Sequence, residues 1–196
     1  MNGHPAPSYA PGGYACPFCR LQRGIEDEHN RSSDIVAVTE RTYARIAPKW
    51  WPGNAGSALV VPRAHVESIY ALAPEDGHAV WDLTQQVATA IRSAYGAEGT
   101  SIRQHNEPAG DQDVWHLHVH VFPRYAGDEL YLRHRDSSWV DSDTRPLCDH
   151  AARGPVAPRA IRRAAGSVIM ASGWPHIDKC EWLLPTPRRH GTLQAC

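Results

Sequence analysis

Three histidines alternate with aliphatic residues in the run Trp115-His116-Leu117-His118-Val119-His120-Val121-Phe122-Pro123-Arg124, and no other stretch constrains the chain as strongly. Side chains of a strand point alternately to opposite faces, so a strand over 114–122 sets His116, His118 and His120 in one row. Leu117, Val119 and Val121 then face a core. One histidine on a polar face is ordinary, whereas three at period two point to chemistry.

Neutral imidazole serves as nucleophile, proton carrier or metal ligand, and its ordinary pKa of about 6.5 lets a row hold different protonation states near pH 7. Two readings follow. In one, all three rings bind a single metal with water in the fourth position. Same-face neighbours on a strand stand about 6.5–7 Å apart, so a pair chelates easily while three in succession spread over roughly twice that and must converge to share one ion. In the other, His118 attacks an electrophile and its neighbours orient it or bind charge, an arrangement suited to phosphoryl or nucleotidyl transfer. His120 then binds a phosphate oxygen.

The second reading frees His116 for another job. Cys16 and Cys19, spaced as Cys-x-x-Cys, together with His65 and His116 form a candidate set of two thiolates and two imidazoles, the composition of a closed, tetrahedral structural zinc site. A reactive thiol pair is the alternative for the two cysteines.

At 196 residues the chain supports one domain of ordinary size with a real core. The first residues lack the basic and apolar regions of a signal peptide, and no apolar run approaches the roughly 20 residues of a membrane span. The expectation is a soluble, cytoplasmic protein with no membrane partner. Five cysteines in such a setting argue against a disulfide framework. A formal net charge of −1 argues against a nucleic-acid partner. Its distribution is uneven: 12 Lys and Arg against 18 Asp and Glu over residues 1–144, and 8 against 3 over 145–196.

Residues 1–14 carry too little apolar side chain to pack and are expected to form a flexible arm. Strands are expected over 34–39 and 42–47, joined by a tight turn at Glu40-Arg41, and over 57–62. Between them, Pro48 to Asn54 carries turn formers and should be a loop bearing Trp50 and Trp51. Pro74, Glu75 and Asp76 open a helix whose Val80, Leu83, Thr84, Val87, Ile91 and Ala94 recur at helical spacing, and Gly96 closes it. A strand over 101–105, a polar loop over 106–113 and the histidine strand complete an α+β fold, an antiparallel sheet of about five strands packed with one long helix. Beyond 144 neither period persists, although 159–165 has the pattern of a short helix; residues 145–196 read as a basic, irregular extension.

The run over 106–124, Asn-Glu-Pro-Ala-Gly-Asp-Gln-Asp-Val-Trp-His-Leu-His-Val-His-Val-Phe-Pro-Arg, resembles the signature of the histidine triad (HIT) superfamily of nucleotide hydrolases and transferases. Cys16-Pro-Phe-Cys19 and Leu59-Val-Val-Pro62-Arg-Ala-His65 are similar to that family's two other blocks, in the same order, so the resemblance spans about residues 14–135. It implies a nucleotide-binding catalytic domain over 15–144, often homodimeric, that cleaves at the α-phosphate of a phosphoramidate or dinucleoside polyphosphate. By resemblance His118 forms a covalent nucleotidyl intermediate, His120 binds phosphate, and Asn106 and Gln112 lie near the phosphates. In the zinc-bearing members, counterparts of Cys16, Cys19, His65 and His116 hold the metal.

The chain departs from the family pattern at named positions. Gly56 is followed by Ser57 where the family usually has a histidine, which removes a supporting contact. Asp113 stands where a Ser or Thr is frequent. One extra residue separates Gly110 from Gln112. The position where many relatives carry a ribose-binding acid falls near Lys49, so ribose binding is left unassigned. A catalytically weakened nucleotide-binding or interaction protein of the same fold is the alternative function.

Overall fold

The computed structural model describes residues 8–132 and 138–139; the extension expected over 145–196 and the helix within it lie outside the described residues. In chain order the elements are α1 (Pro17–Gln22), β1 (Ile35–Val38), β2 (Thr42–Ile46), β3 (Lys49–Trp50), β4 (Ala58–Pro62), α2 (Pro74–Tyr95), β5 (Gly99–Gln104), β6 (Val119–Arg124) and β7 (Ser138–Trp139). Five strands form one antiparallel sheet in the order β1-β2-β4-β6-β5. The expected α+β architecture is what is found.

The 22-residue α2 starts with Pro74 in its first turn, carries Glu75 and Asp76 near its positive end and Arg92 near its negative end, and stops at Gly96 in the left-handed conformation. Its buried stripe, Val80, Leu83, Val87 and Ile91, packs on one sheet face against Ala44, Ala58, Val60, Val119 and Val121. All of those sheet residues are apolar because each lies at an alternate position of β2, β4 or β6, the period that turns every second side chain to one face.

The other face is covered as well, which periodicity alone does not reveal. Phe18 and Leu21 of α1, with Cys16, pack on Tyr43, Leu59 and Val61. Every residue of β2 and of β4 is therefore buried. Arg45 lies on this second face, fully buried, and is satisfied by Asp34 at 3.0 Å, the His29 carbonyl at 2.9 Å, the Ile46 carbonyl at 3.0 Å and the Asn30 side chain. A buried guanidinium needs such complete pairing, and here it ties the 27–34 loop to the sheet.

Three details differ from the sequence expectation. The histidine strand starts at Val119 rather than 114, because 114–118 bends back under the 62–66 segment: Leu117 N donates to Val66 O at 2.7 Å and His116 N to Val114 O at 2.8 Å. The Trp50 loop includes a two-residue strand, β3, paired with β7 outside the main sheet. The described part of the N-terminal arm is anchored, since Ser8 and Tyr9 donate to the Glu67 carboxylate at 2.7 and 2.6 Å and the Tyr9 ring stacks on Trp115. No helix among the described residues is long and apolar enough to cross a membrane.

Candidate functional site

The bend at 114–118 gives the three histidines different surroundings. His116 and His118 are 0 % and 3 % exposed, so they do not share an open polar face with His120, which is only half-buried. The rings of His118 and His120 stay neighbours, with centroids 4.8 Å apart, while His116 turns toward the cysteines. Among the described residues the three do not converge as a metal cluster.

His116 Nε2 lies 2.9 Å from the Pro62 carbonyl oxygen. A carbonyl only accepts, so Nε2 carries the proton and Nδ1 presents a lone pair. That lone pair faces Cys16 Sγ at 3.3 Å, Cys19 Sγ at 3.5 Å and His65 Nδ1 at 3.1 Å, and His65 Nδ1 is 3.3 Å from Cys19 Sγ. Tetrahedral zinc, with Zn–S of about 2.3 Å and Zn–N of about 2.0–2.1 Å, sets S···N separations of about 3.5 Å and an N···N separation of about 3.4 Å. The four separations above, 3.1–3.5 Å, are close to those values, and all four ligand atoms lie within 4.8 Å of one another. The donor set therefore fits zinc, with the Pro62 carbonyl as the outer partner that fixes the imidazole tautomer.

The local chain builds this cluster economically. Cys16 precedes α1, its sulfur accepts from Cys19 N at 3.5 Å, and Pro17 occupies the first turn. Without a cation, burial and the neighbouring Cys16 push the Cys19 thiol up to about 11, and burial lowers His116 to about 4. A divalent cation reverses the first effect, because it favours the thiolate.

His118 Nδ1 lies 2.9 Å from the His116 carbonyl oxygen. By the same reasoning Nδ1 is the protonated nitrogen and Nε2 bears the lone pair. Burial lowers the pKa of His118, and burial followed by the His118, His105 and Arg103 charges lowers that of His120 well below the ordinary value, so both rings are neutral near pH 7. Phe18 sets its ring edge-on to His118 at 5.2 Å, and His120 lies parallel to Phe122 at 5.5 Å.

The other expected site residues sit on the loop that precedes β6. Asn106 Oδ1 accepts from Ile69 N at 2.8 Å, and its Nδ2 donates to Gln104 Oε1 at 2.6 Å. Gln112 is buried; its Nε2 donates to the Glu67 and Val114 carbonyls at 2.7 and 3.0 Å, and its Oε1 accepts from Glu107 N at 2.8 Å. Both Gln112 N–H groups are thus spent on backbone, in a loop where Glu107 and Asp111 adopt positive φ. Asp113 is exposed, and Ser57 is buried with its hydroxyl 3.5 Å from the Lys49 carbonyl.

Sequence reading missed Phe18, Arg103 and His105. Phe18 lies inside the Cys-x-x-Cys block and looks like ordinary core. Arg103 pairs directly across from His120 in the β5–β6 register, and His105 sets its ring 5.5 Å from that of His120. Strand register is a tertiary property, so only the period-two pattern of β5 could have hinted at these neighbours.

The family model described as HIT domain matches residues 30–127. The chain belongs to the HIT domain family. Among its relatives is an adenosine 5'-monophosphoramidase, hnt1, of Schizosaccharomyces pombe, 26% identical over 110 residues, which make up 56% of this chain and 74% of that one. Another is a bis(5'-adenosyl)-triphosphatase of Dictyostelium discoideum, 27% identical over 94 residues, or 48% of this chain and 62% of that one. Among solved structures, a zinc-bound histidine triad family protein from Mycobacterium smegmatis superposes with a TM-score of 0.57 at 26% identity, covering 72% of this chain and 96% of that one. At family level these relatives are nucleotide hydrolases, and Cys16, Cys19, His65 and His116 can hold a metal in this HIT domain.

Proposed function

We propose that this HIT domain is a nucleotide hydrolase or nucleotidyl transferase acting at the α-phosphate of a nucleoside phosphoramidate or dinucleoside polyphosphate, with His118 as nucleophile. One observation carries the reading: the His116 carbonyl holds the Nδ1 proton of a buried, neutral His118, and so commits the Nε2 lone pair to attack. His118 Nε2 forms a bond to the α-phosphorus as the bond to the leaving nitrogen or oxygen breaks. The electron pair departs with that atom. Water then attacks the nucleotidyl-histidine, the P–N pair returns to Nε2, and the water's proton passes to solvent or the leaving group. An acceptor in place of water gives transfer.

His120 donates to a non-bridging phosphate oxygen. Asn106 keeps one of its two N–H donors for the same purpose, the other being spent on Gln104. Gln112 braces the loop and meets phosphate only by exchanging a backbone partner. Zinc bound by Cys16, Cys19, His65 and His116 supplies a structural clamp and no reacting atom. We assign the protein to the cytoplasm, where thiols stay reduced, and read it as a homodimer whose β5 edge, open among the described residues and carrying exposed Ile102, is a surface for a second copy.

The substitution of Ser57 for the usual histidine favours a second reading, a nucleotide-binding or interaction protein with weakened chemistry. Intact mass after brief incubation with an adenosine phosphoramidate or diadenosine triphosphate separates the two. A nucleotidyl adduct on the wild type, absent from His118→Ala, supports catalysis through His118. Nucleotide binding without adduct or mononucleotide release supports the second reading.

A further inference from the structure

The surroundings of His120 are asymmetric. Toward β4 its cross-strand partner is the apolar Leu59, buried with Tyr43 and Phe18. Toward β5 its partner is Arg103, and directly opposed residues of an antiparallel pair hold their Cβ atoms about 4.5–5.5 Å apart. His105 adds a second nitrogen ring on the same side.

Arg103 is held in place by aromatic rings. Its guanidinium lies over the Tyr131 ring at 4.2 Å and near the Phe122 ring at 5.7 Å, the same Phe122 that stacks on His120. The next arginine on this face, Arg124, has its charge matched by Asp128 at 2.7 Å. Among the described residues no carboxylate pairs with Arg103. Stacking occupies the face of a guanidinium and leaves N–H groups in its plane, the arrangement that binds an oxyanion.

We infer that Arg103 is a specificity-determining residue that binds the charge of an oxyanion leaving group, so that this site favours nucleotides whose α-phosphate is linked to phosphate or sulfate over those linked to a neutral amine. The inference rests on the hydrolase reading above. When His118 Nε2 bonds to the α-phosphorus, the bridging P–O bond breaks and its electron pair stays on the departing oxygen. The added negative charge appears on a terminal phosphate or sulfate, which Arg103 meets beside His120. A departing amine takes up a proton, leaves neutral and gives Arg103 nothing to bind.

The test compares kcat/KM for diadenosine triphosphate, adenylyl sulfate and adenosine phosphoramidate in wild type, Arg103→Met and Arg103→Lys. Methionine keeps the apolar stem over Phe122. A charge-assisted hydrogen bond amounts to roughly a ten- to hundred-fold effect. The expected result is that Arg103→Met lowers the preference for the anionic leaving groups over the phosphoramidate by that factor, with lysine restoring part of it. A loss confined to the triphosphate assigns the residue to a polyphosphate chain, and a loss shared with the sulfate assigns it to any oxyanion. Parallel losses on all three substrates overturn the inference and leave the hydrolase reading intact. A wild type that releases mononucleotide from none of them overturns both.

Discussion

His118 Nδ1 sits 2.9 Å from the carbonyl oxygen of His116, whose own ring faces Cys16, Cys19 and His65. One residue thus joins the four-donor cluster to the proposed nucleophile: its side chain completes the set, and its backbone selects the tautomer of His118. The link places the four-donor cluster two residues from the proposed nucleophile.

Removal of the proposed zinc is therefore expected to act through folding. With zinc roughly 100- to 1,000-fold above its Kd, the lost linkage is about 3–4 kcal/mol. For a domain of this size that is a fall in thermal midpoint of roughly 6–16 °C. Differential scanning calorimetry with and without a chelator measures it. Activity should decay at the rate at which near-ultraviolet circular dichroism is lost; instantaneous loss with the fold intact would mark a catalytic metal instead.

The pH dependence of kcat/KM follows from burial. A protonated imidazole cannot attack, and burial lowers the pKa of His118, so the nucleophile stays competent as pH falls past the ordinary value. The acidic limb of the profile is expected below pH 6.5, the unperturbed imidazole value. A limb at or above that value would show that His118 is not the titrating nucleophile.

Asp128 offers a stability test away from the histidines. Its carboxylate accepts from Arg124 at 2.7 and 2.8 Å, from Asn54 Nδ2 at 2.9 Å and from the Tyr125 and Leu130 amides at 3.0 and 3.2 Å. The Arg124 hydrogen bonds hold it well below the usual carboxylate range. A depressed folded value means stability that is fully present above the unfolded value of about 3.9 and is lost as pH falls toward the folded one. Asp128→Asn should cost about 2–4 kcal/mol at pH 7 by urea unfolding. The gap to wild type should narrow below about pH 4.

Gly56 cannot be replaced cheaply. It adopts φ +95°, and an added Cβ would run into the Tyr95 ring at the end of α2. Strain of about 1–3 kcal/mol and overpacking of similar size predict that Gly56→Ala lowers stability by about 2–5 kcal/mol. A denaturation midpoint within error of wild type would contradict the close approach.

The local pattern of the chain carried a large share of the outcome. The stripe from Val80 to Ile91 and its flanking Pro74 and Gly96 specified α2, because a helix buries one face at a fixed period. β-Branched and apolar runs marked β2 and β4 close to their observed ends, alternation marked β6 although not its start, and the spacing Cys16-x-x-Cys19 with His65 and His116 named four donors that the fold does bring together. Those signals are local or chemical, so they survive without coordinates. What the fold alone decided was which surfaces close on which. The backbone turn at 114–118 delays the start of the strand to Val119 and buries His116 and His118, although alternation runs unbroken through the sequence there. Gln112 reads like a polar ligand, yet its amide is spent on the Glu67 and Val114 carbonyls, since a buried side chain must satisfy its hydrogen bonds wherever the loop places it. The pairing of Arg103 with His120 depends on register between strands separated by a loop, a choice made by packing the whole sheet between α1 and α2.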